Sequence, residues 1–379
     1  MIVVIVTAVL LCCYAALIHT YRIWYRRLKP FVIPDIEPAT SFSIIIPARN
    51  EETSISNCVL SIINNHYPSD LFEVIVIDDH STDRTPVIVE EISKKYSNVK
   101  LIRLAEELDG TSLNSYKKKA IEIAISYSTK DWIVTTDADC RVTPRWLKGY
   151  DAYIQQNDPV FVAAPVMFVT DGSFVTMFQC LDFISLQGIT AASVSAGFHS
   201  MCNGANLGYR KDVFYEVNGF KGIDNIASGD DMLLMHKMNM HYSDRIGYLF
   251  AREAVVLTDP MPDWKSFFNQ RIRWASKAEA YDDKRIIFVL LFVYTLNFLL
   301  LFLPVLALWN PYILLYWLGL VILKTFSEYT FMFFVASFFR LKPLLRWFPF
   351  MQPVHIFYTV IAGFFGKFGK YQWKGRTVK

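Results

Sequence analysis

Three acidic clusters and one basic, aromatic cluster carry the residue types that can do chemistry: Asp78-Asp79, Asp137-Ala138-Asp139, Asp230-Asp231 and Gln270-Arg271-Ile272-Arg273-Trp274. Asp137 and Asp139 are two apart, so on an extended backbone both carboxylates face one side, with α-carbons about 6–7 Å apart. Two carboxylates so placed suit a hard divalent cation, which takes oxygen ligands and fills its shell with waters and phosphates. Asp230-Asp231 precedes the helix-like run MLLMHKM. Neighbouring carboxylates raise one another's pKa and suit a general base. The plainer alternative is an acidic helix start stabilised by the helix dipole. Arg271 and Arg273 are planar, permanently charged donors fitted to phosphate, and Trp274 offers a flat apolar face. The alternative there is a basic helix lying in a membrane interface. For Asp78–Asp83, Ser81 or Asp83 can cap a helix running toward Ile92.

The elements around these clusters alternate. Ser43–Pro47 (SIIIP) and Glu73–Ile77 (EVIVI) read as short strands, with a helix-like stretch Ser54–His66 between them. The order repeats as Val99–Leu104, Tyr116–Ser126 and Trp132–Thr136. Such alternation predicts a parallel sheet covered by helices. Ligands of these sheets bind at the C-terminal ends of strands. The polar groups Ala48–Glu52, Asp78–Asp83 and Asp137–Asp139 then converge along one edge.

Of the 379 residues 53% are hydrophobic, and the excess lies at the ends. Residues 1–21 are expected to form an N-terminal membrane anchor, with Tyr21–Lys29 supplying four basic residues behind it. Because the charge follows the apolar run, an uncleaved anchor with its N-terminus outside is expected. Residues 41–283 read as a water-soluble α/β domain, 286–365 as C-terminal membrane segments and 367–379 as a basic tail. Ile286–Leu308 and Tyr312–Phe339 are long enough to span. Lys324 and Glu328, four apart in the second, are placed to pair on one helical side. Phe348–Phe365, with Pro349 and Pro353, is expected to lie in the interface or to re-enter, which keeps the basic tail inside. A net charge of +3 gives no reason to expect nucleic acid. Six cysteines without a CxxC pair fit neither a disulfide framework nor a zinc cluster.

SIIIPARNEE (43–52), VIDDHSTD (76–83), TDAD (136–139), GDD (229–231) and QRIRW (270–274) occur in an order that resembles the membrane-associated branch of glycosyltransferase family 2 over roughly Ser41–Lys277. The resemblance implies a GT-A (Rossmann-like) fold, a nucleotide-sugar donor, Mg or Mn, and inversion at the sugar carbon. By position it places Pro47, Arg49 and Glu51 along the base and ribose. It gives Asp79 the base and Asp78 support of that loop. Lys118, Asp137, Gln270, Arg271, Arg273 and Trp274 join the donor contacts, with Asp137 and Asp139 as metal ligands. It makes Asp231 the base, with Asp230 beside it. HSMCNGANLGYR (199–210) resembles the acceptor-side loop, giving Asn203, Asn206 and Trp274 to the acceptor; a structural turn is the other reading of the two asparagines.

The expectation is an integral membrane enzyme of the plasma (inner) membrane, catalytic domain in the cytosol. It moves a sugar, from a UDP-sugar on family grounds, to a lipid or glycan acceptor of the cell envelope in single transfers. A processive polysaccharide synthase, a catalytically silent subunit of the same fold and a nucleotidyltransferase are the alternatives. The intact acids and the arginine pair speak against silence.

Overall fold

The computed structural model describes all residues except 109–114, 199–200, 225, 227–228, 278–282, 370, 374–375 and 379. His199, at the head of the acceptor-side stretch, and parts of the basic tail therefore lie outside the described residues. The chain divides into two compact units. One comprises Lys29–Met167 and Ser200–Asp259; the other comprises Met1–Leu28, Phe168–His199 and Pro260–Lys379. Phe174–Ser195 and the QRIRW helix, both inside the expected 41–283 block, pack in the second unit.

The first unit is built on a seven-stranded sheet. Strands β1 (Phe42–Ala48), β2 (Phe72–Asp78), β3 (Val99–Arg103) and β4 (Trp132–Thr135) run parallel in the order β3-β2-β1-β4. Helices α2 (Ile55–Ile63), α3 (Thr85–Ser93), α4 (Leu104–Glu107) and α5 (Tyr116–Tyr127) connect them. Every residue of β2 and all of β1 except Pro47 are buried, which explains their unbroken β-branched runs. After α6 (Trp146–Asn157) come β5 (Phe161–Ala163) and β6 (Val166–Phe168). Strand β7 (Leu207–Arg210) joins β4 antiparallel, and β8 (Ile246–Tyr248) closes the far edge beside β5. Helices α8 (Lys211–Glu216) and α9 (Met232–His241) and strand β9 (Val256–Thr258) complete the unit. The chain moves outward from β1 to β3 and then returns to the other side of β1 as β4. The strand order thus reverses between β1 and β4, where sheets of this kind open a crevice at their C-terminal ends.

The second unit is helical. It holds α1 (Ile2–Arg27), α7 (Phe174–Ser195), α10 (Trp264–Ala275), α11 (Lys284–Leu306), α12 (Tyr312–Phe338) and α13 (Phe348–Phe368). Among the described residues five helical segments are long and apolar enough to cross a membrane by length and composition: α1, α7, α11, α12 and 342–368. The last was expected to re-enter or lie flat. It contains one continuous helix, α13, rather than a re-entrant hairpin: Pro349 sits in the first turn, where its missing N–H costs nothing, and the helix continues through Pro353. Lys324 and Glu328 pair as expected, Nζ to Oε1 at 2.6 Å, in a buried cluster. Glu328 also accepts from Tyr14 Oη (2.5 Å) and Gln352 Nε2 (2.7 Å), and Lys324 donates to Gln352 Oε1 (2.9 Å). Full hydrogen bonding of both charges is what makes their burial tolerable.

Candidate functional site

The loops after β1 and β2 are laced together. Asp79 N–H donates to Ala48 O at 2.8 Å, Arg49 Nη1 donates to Asp79 O at 2.8 Å, and Asn50 N–H donates to Ser81 Oγ at 2.9 Å. Asn50 and His80 take positive φ (52° and 56°), a conformation asparagine tolerates best among non-glycine residues. Asp83 Oδ1 accepts both the N–H and the hydroxyl of Thr85, the first residue of α3, while Arg84, rather than Ser81 or Asp83, stands at the N-cap. Asp79 Oδ1 lies 2.9 Å from His80 Nδ1 and 3.8 Å from Arg49 Nη1. Asp78 accepts from Ser81 N–H with Oδ2, while its buried Oδ1 has no hydrogen-bond partner among the described residues. A buried acceptor left open by the fold suits a ligand's N–H or O–H. Pro47 closes β1 half-buried, and Glu51 Oε2 accepts from Ser54 Oγ (2.8 Å).

Beyond β4 the acidic triplet and the second acidic pair come together. Thr136 N–H donates to Ile45 O, which holds the end of β4 against β1. The Asp137 carboxylate, 40% exposed, is 3.0 Å from Lys117 Nζ on α5, and the same ammonium is 3.2 Å from Asp230 Oδ2. Asp231 caps α9: Oδ1 accepts from Met232 N–H (2.8 Å) and Oδ2 from Gly204 N–H (3.0 Å). Gly204 O in turn accepts from Thr135 Oγ1 at 2.9 Å, tying the acceptor-side loop to the end of β4. A Cβ at 204 would start 3.5 Å from Asp230 Oδ2 and 3.6 Å from Asp231 Oδ2, so glycine keeps the space before both acids open. Asn203 turns its Oδ1 onto Ala205 N–H (3.0 Å).

Charge follows from this geometry. Burial pulls the Lys117 ammonium toward a lower pKa, but Asp137, Asp230 and Asp231 outweigh it and the net shift is upward. Lys117 is therefore a fixed positive charge among three carboxylates. Burial, then the charges of Asp139 and Asp137, push the Cys58 and Cys140 thiols up, so both are inert fillers beside the triplet. Among the described residues no three His, Cys, Asp or Glu side chains gather to hold a metal. Asp137 and Asp139 fit a hard cation that takes two carboxylates from the protein and its other oxygens from a bound phosphate and water.

Two expected contacts are corrected. Lys118 faces the other way along α5, buried, with Nζ on the carbonyls of Ile223 (2.6 Å) and Ile226 (2.8 Å); it is Lys117, one residue earlier, that meets the acids. Asn206 lies in the core. Its Oδ1 accepts from Trp146 Nε1 and Tyr150 Oη, and its Nδ2 donates to Pro165 O and Ala254 O, so its amide has no reach to an acceptor.

The basic, aromatic motif belongs to the helical unit. Asp263 caps α10 by accepting from Ser266 N–H at 2.8 Å. Arg271 is 4% exposed and donates from Nε (3.1 Å) and Nη2 (2.7 Å) to Asp182 Oδ2 on α7. Arg271, expected at a diphosphate, thus directs donors from Nε, Nη1 and Nη2 to partners inside the unit. Gln270, Arg273 and Trp274 are half-buried. Sequence reasoning missed Lys117 and Asp182. The signal for Asp182 was present, a lone acid inside the apolar stretch 174–198, where a charge demands a partner.

Residues 132–364, more than half of the chain, match the family described as Glycosyl transferase family group 2, and residues 43–217 match Glycosyl transferase family 2. The probable glycosyltransferase YdaM of Bacillus subtilis is 28% identical over 297 residues, 73% of this chain and 67% of that protein. A β-monoglucosyldiacylglycerol synthase of Nostoc sp. is 34% identical over 126 residues, covering 33% of this chain and 26% of that protein. A mannosyltransferase from Pyrobaculum calidifontis, solved in complex with GDP-Man and Mn2+, has a TM-score of 0.55 at 19% identity, covering 95% of this chain and 99% of that one. At that identity the likeness is one of fold. With its parallel sheet and the motifs at the strand ends, the chain belongs to glycosyltransferase family 2 and is a glycosyltransferase of the GT-A fold.

Proposed function

We propose that the enzyme takes a nucleotide-sugar with a bound Mg or Mn ion and transfers the sugar, with inversion, to a lipid or glycan acceptor at the membrane. The observation that carries this reading is the single ammonium of Lys117 held between Asp137 and Asp230, which brings the triplet and the second acidic pair into one place. Asp137 and Asp139 hold the metal and, through it, the diphosphate. When bound, the ion supplies positive charge to the leaving diphosphate. Lys117 replaces Lys118 among the donor contacts and adds a second positive charge there. Asp79 takes the base, and Asp78, whose buried Oδ1 is open among the described residues, supports that loop and offers a further acceptor to base or ribose; Pro47, Arg49 and Glu51 line the base and ribose, with His80 beside Asp79.

Asp231 takes the proton of the acceptor hydroxyl as that oxygen attacks the sugar carbon. Its two N–H donors, Met232 and Gly204, fix the carboxylate plane and leave lone pairs for the proton. On the resemblance of the QRIRW motif, this reading gives Gln270 and Arg273 to the donor diphosphate and Trp274 to the acceptor. The mannosyltransferase with GDP-Man and Mn2+ supports the donor class and the metal. UDP is the expected nucleotide on family grounds, and a lipid acceptor accords with the similarity to a glucosyldiacylglycerol synthase. The helices long enough to cross a membrane and the basic residues behind α1 support a plasma (inner) membrane location with the sheet unit in the cytosol.

Membranes carrying the full chain, given labelled UDP-glucose, UDP-N-acetylglucosamine and GDP-mannose, test this. The expected result is metal-dependent incorporation from one donor into lipid-extractable or glycan material, abolished by chelator. Incorporation that survives complete chelation would remove the metal from the mechanism.

A further inference from the structure

The buried pair of Asp182 and Arg271 links three helices to the two motif residues that flank Arg271. Both donors from Nε and Nη2 end on one carboxylate oxygen, Asp182 Oδ2, which fixes the plane of the guanidinium. The other oxygen, Oδ1, accepts a hydrogen bond from Tyr358 Oη on α13, so the carboxylate is held at both oxygens. The remaining side of the guanidinium works on the motif. Nη1 donates to Gln270 Oε1 at 2.8 Å, which turns the Gln270 carbonyl inward and leaves its amide hydrogens to donate elsewhere. The guanidinium carbon also lies 4.2 Å from the centroid of the Trp274 ring and 4.7 Å from that of Phe267. Phe183, next to Asp182 on α7, packs 5.9 Å from the Trp274 ring.

A buried ion pair contributes little net stability over apolar side chains of the same volume, so stability alone is a weak account of it. What the pair does supply is direction. With Arg271 locked, the Gln270 amide and the Trp274 indole each have one orientation. The geometry points to Asp182 and Tyr358 as positioning residues for glycosyl transfer, acting through Arg271 on Gln270 and Trp274. This rests on the reading above in which Gln270 and Trp274 serve donor and acceptor.

The test uses the full chain in membranes, with whichever of the three labelled donors the wild type incorporates. Asp182→Asn keeps the shape and removes the charge; Tyr358→Phe removes a single hydroxyl and serves where Asp182→Asn fails to fold. The expected result is a kcat lower by about tenfold for Asp182→Asn and about threefold for Tyr358→Phe, with donor KM nearly unchanged, because misplacement costs the transition state more than the ground state. Asp182→Asn added to a Gln270→Ala, Trp274→Phe double variant should slow the enzyme no further than that double variant alone. In 5-fluorotryptophan-labelled protein the Trp274 fluorine resonance, assigned by its absence from Trp274→Phe, should move in both variants, a change that loss of stability alone does not produce. Folded Asp182→Asn and Tyr358→Phe proteins with wild-type kcat and an unmoved resonance would overturn the proposal. If Trp274→Ala keeps its rate, the motif reading falls and this proposal with it. If Trp274→Ala is slow while the other two keep wild-type rates, this proposal falls alone.

Discussion

Lys117 is where the chemistry of single residues is most exposed to test. Its ammonium pairs with both Asp137 and Asp230, so an incoming cation must compete with it for the Asp137 oxygen at 3.0 Å. Lys117→Gln should therefore bind Mn2+ more tightly than wild type in the absence of donor, by about tenfold for one like charge removed at this range in a partly hydrated cleft. Equilibrium titration followed by the Mn2+ paramagnetic signal measures it, and equal or weaker binding would contradict the assigned geometry. The acids at these positions were legible in the sequence because their spacing carries meaning on a strand end. Which of three consecutive lysines joins them was not. Lysines 117, 118 and 119 differ only in their angle around α5, and that angle is set by the packing of Ala120, Ile121, Ala124 and Ile125, not by the lysines. Asn206 differs from its expectation for a related reason: an amide in a loop-like stretch between Gly204 and Gly208 looks ligand-facing, yet the fold spends four hydrogen bonds of that amide inside.

At the scale of elements, Glu73 holds the N-terminal ends of the parallel strands. It is buried at the start of β2, where Oε1 accepts from Ser43 Oγ (2.7 Å), Thr129 N–H (2.6 Å) and Thr129 Oγ1 (2.9 Å), and Oε2 pairs with Lys100 at 2.8 Å. Burial raises its pKa, but the bonds from Lys100, Thr129 and Ser43 outweigh burial, and the net shift is below the ordinary 4.5. A depressed folded pKa means the stabilisation is complete above about pH 4.5 and is lost as pH falls through the folded value. Glu73→Gln should cost the sheet unit about 2 kcal/mol at pH 7 and progressively less below pH 4.5. Hydrogen exchange of the β1 and β2 amides across that range reads it; a cost independent of pH would contradict the charge assignment. The strands themselves were legible to within one residue at either end, since β1, β2 and β4 are buried and β-branched. The other half of the sheet, in which β7 runs antiparallel between β4 and β5 and β8 pairs parallel with β5, was not foreseen: strands of three or four residues carry too little periodicity.

Over the whole molecule, packing divides the chain differently from hydropathy. The expected 41–283 block contains 174–195 and 264–275, although 174–198 reads as an apolar stretch near the membrane and 260–268 as a membrane-surface segment. Their contacts put them with the helices at the two ends. The reason is visible in Asp182 and Arg271, whose partners are each other, Tyr358 and aromatic rings of that unit. The Lys324–Glu328 pair was legible, because two opposite charges four apart in an apolar helix have few other ways to be satisfied; its Tyr14 and Gln352 partners, distant in sequence, were not. The central claim assigns different work to the two acidic motifs, Asp137 and Asp139 holding metal and diphosphate and Asp231 moving the proton. Titrating the nucleoside diphosphate of the active donor into the solubilised full chain, with and without Mn2+, separates them when set beside turnover. Asp137→Asn is expected to lose Mn2+-dependent nucleotide binding. Asp231→Asn should bind within about threefold of wild type yet transfer at least about a hundredfold more slowly, the range of a lost general base. Intact Mn2+-dependent binding in Asp137→Asn, or wild-type turnover in Asp231→Asn, would contradict the account.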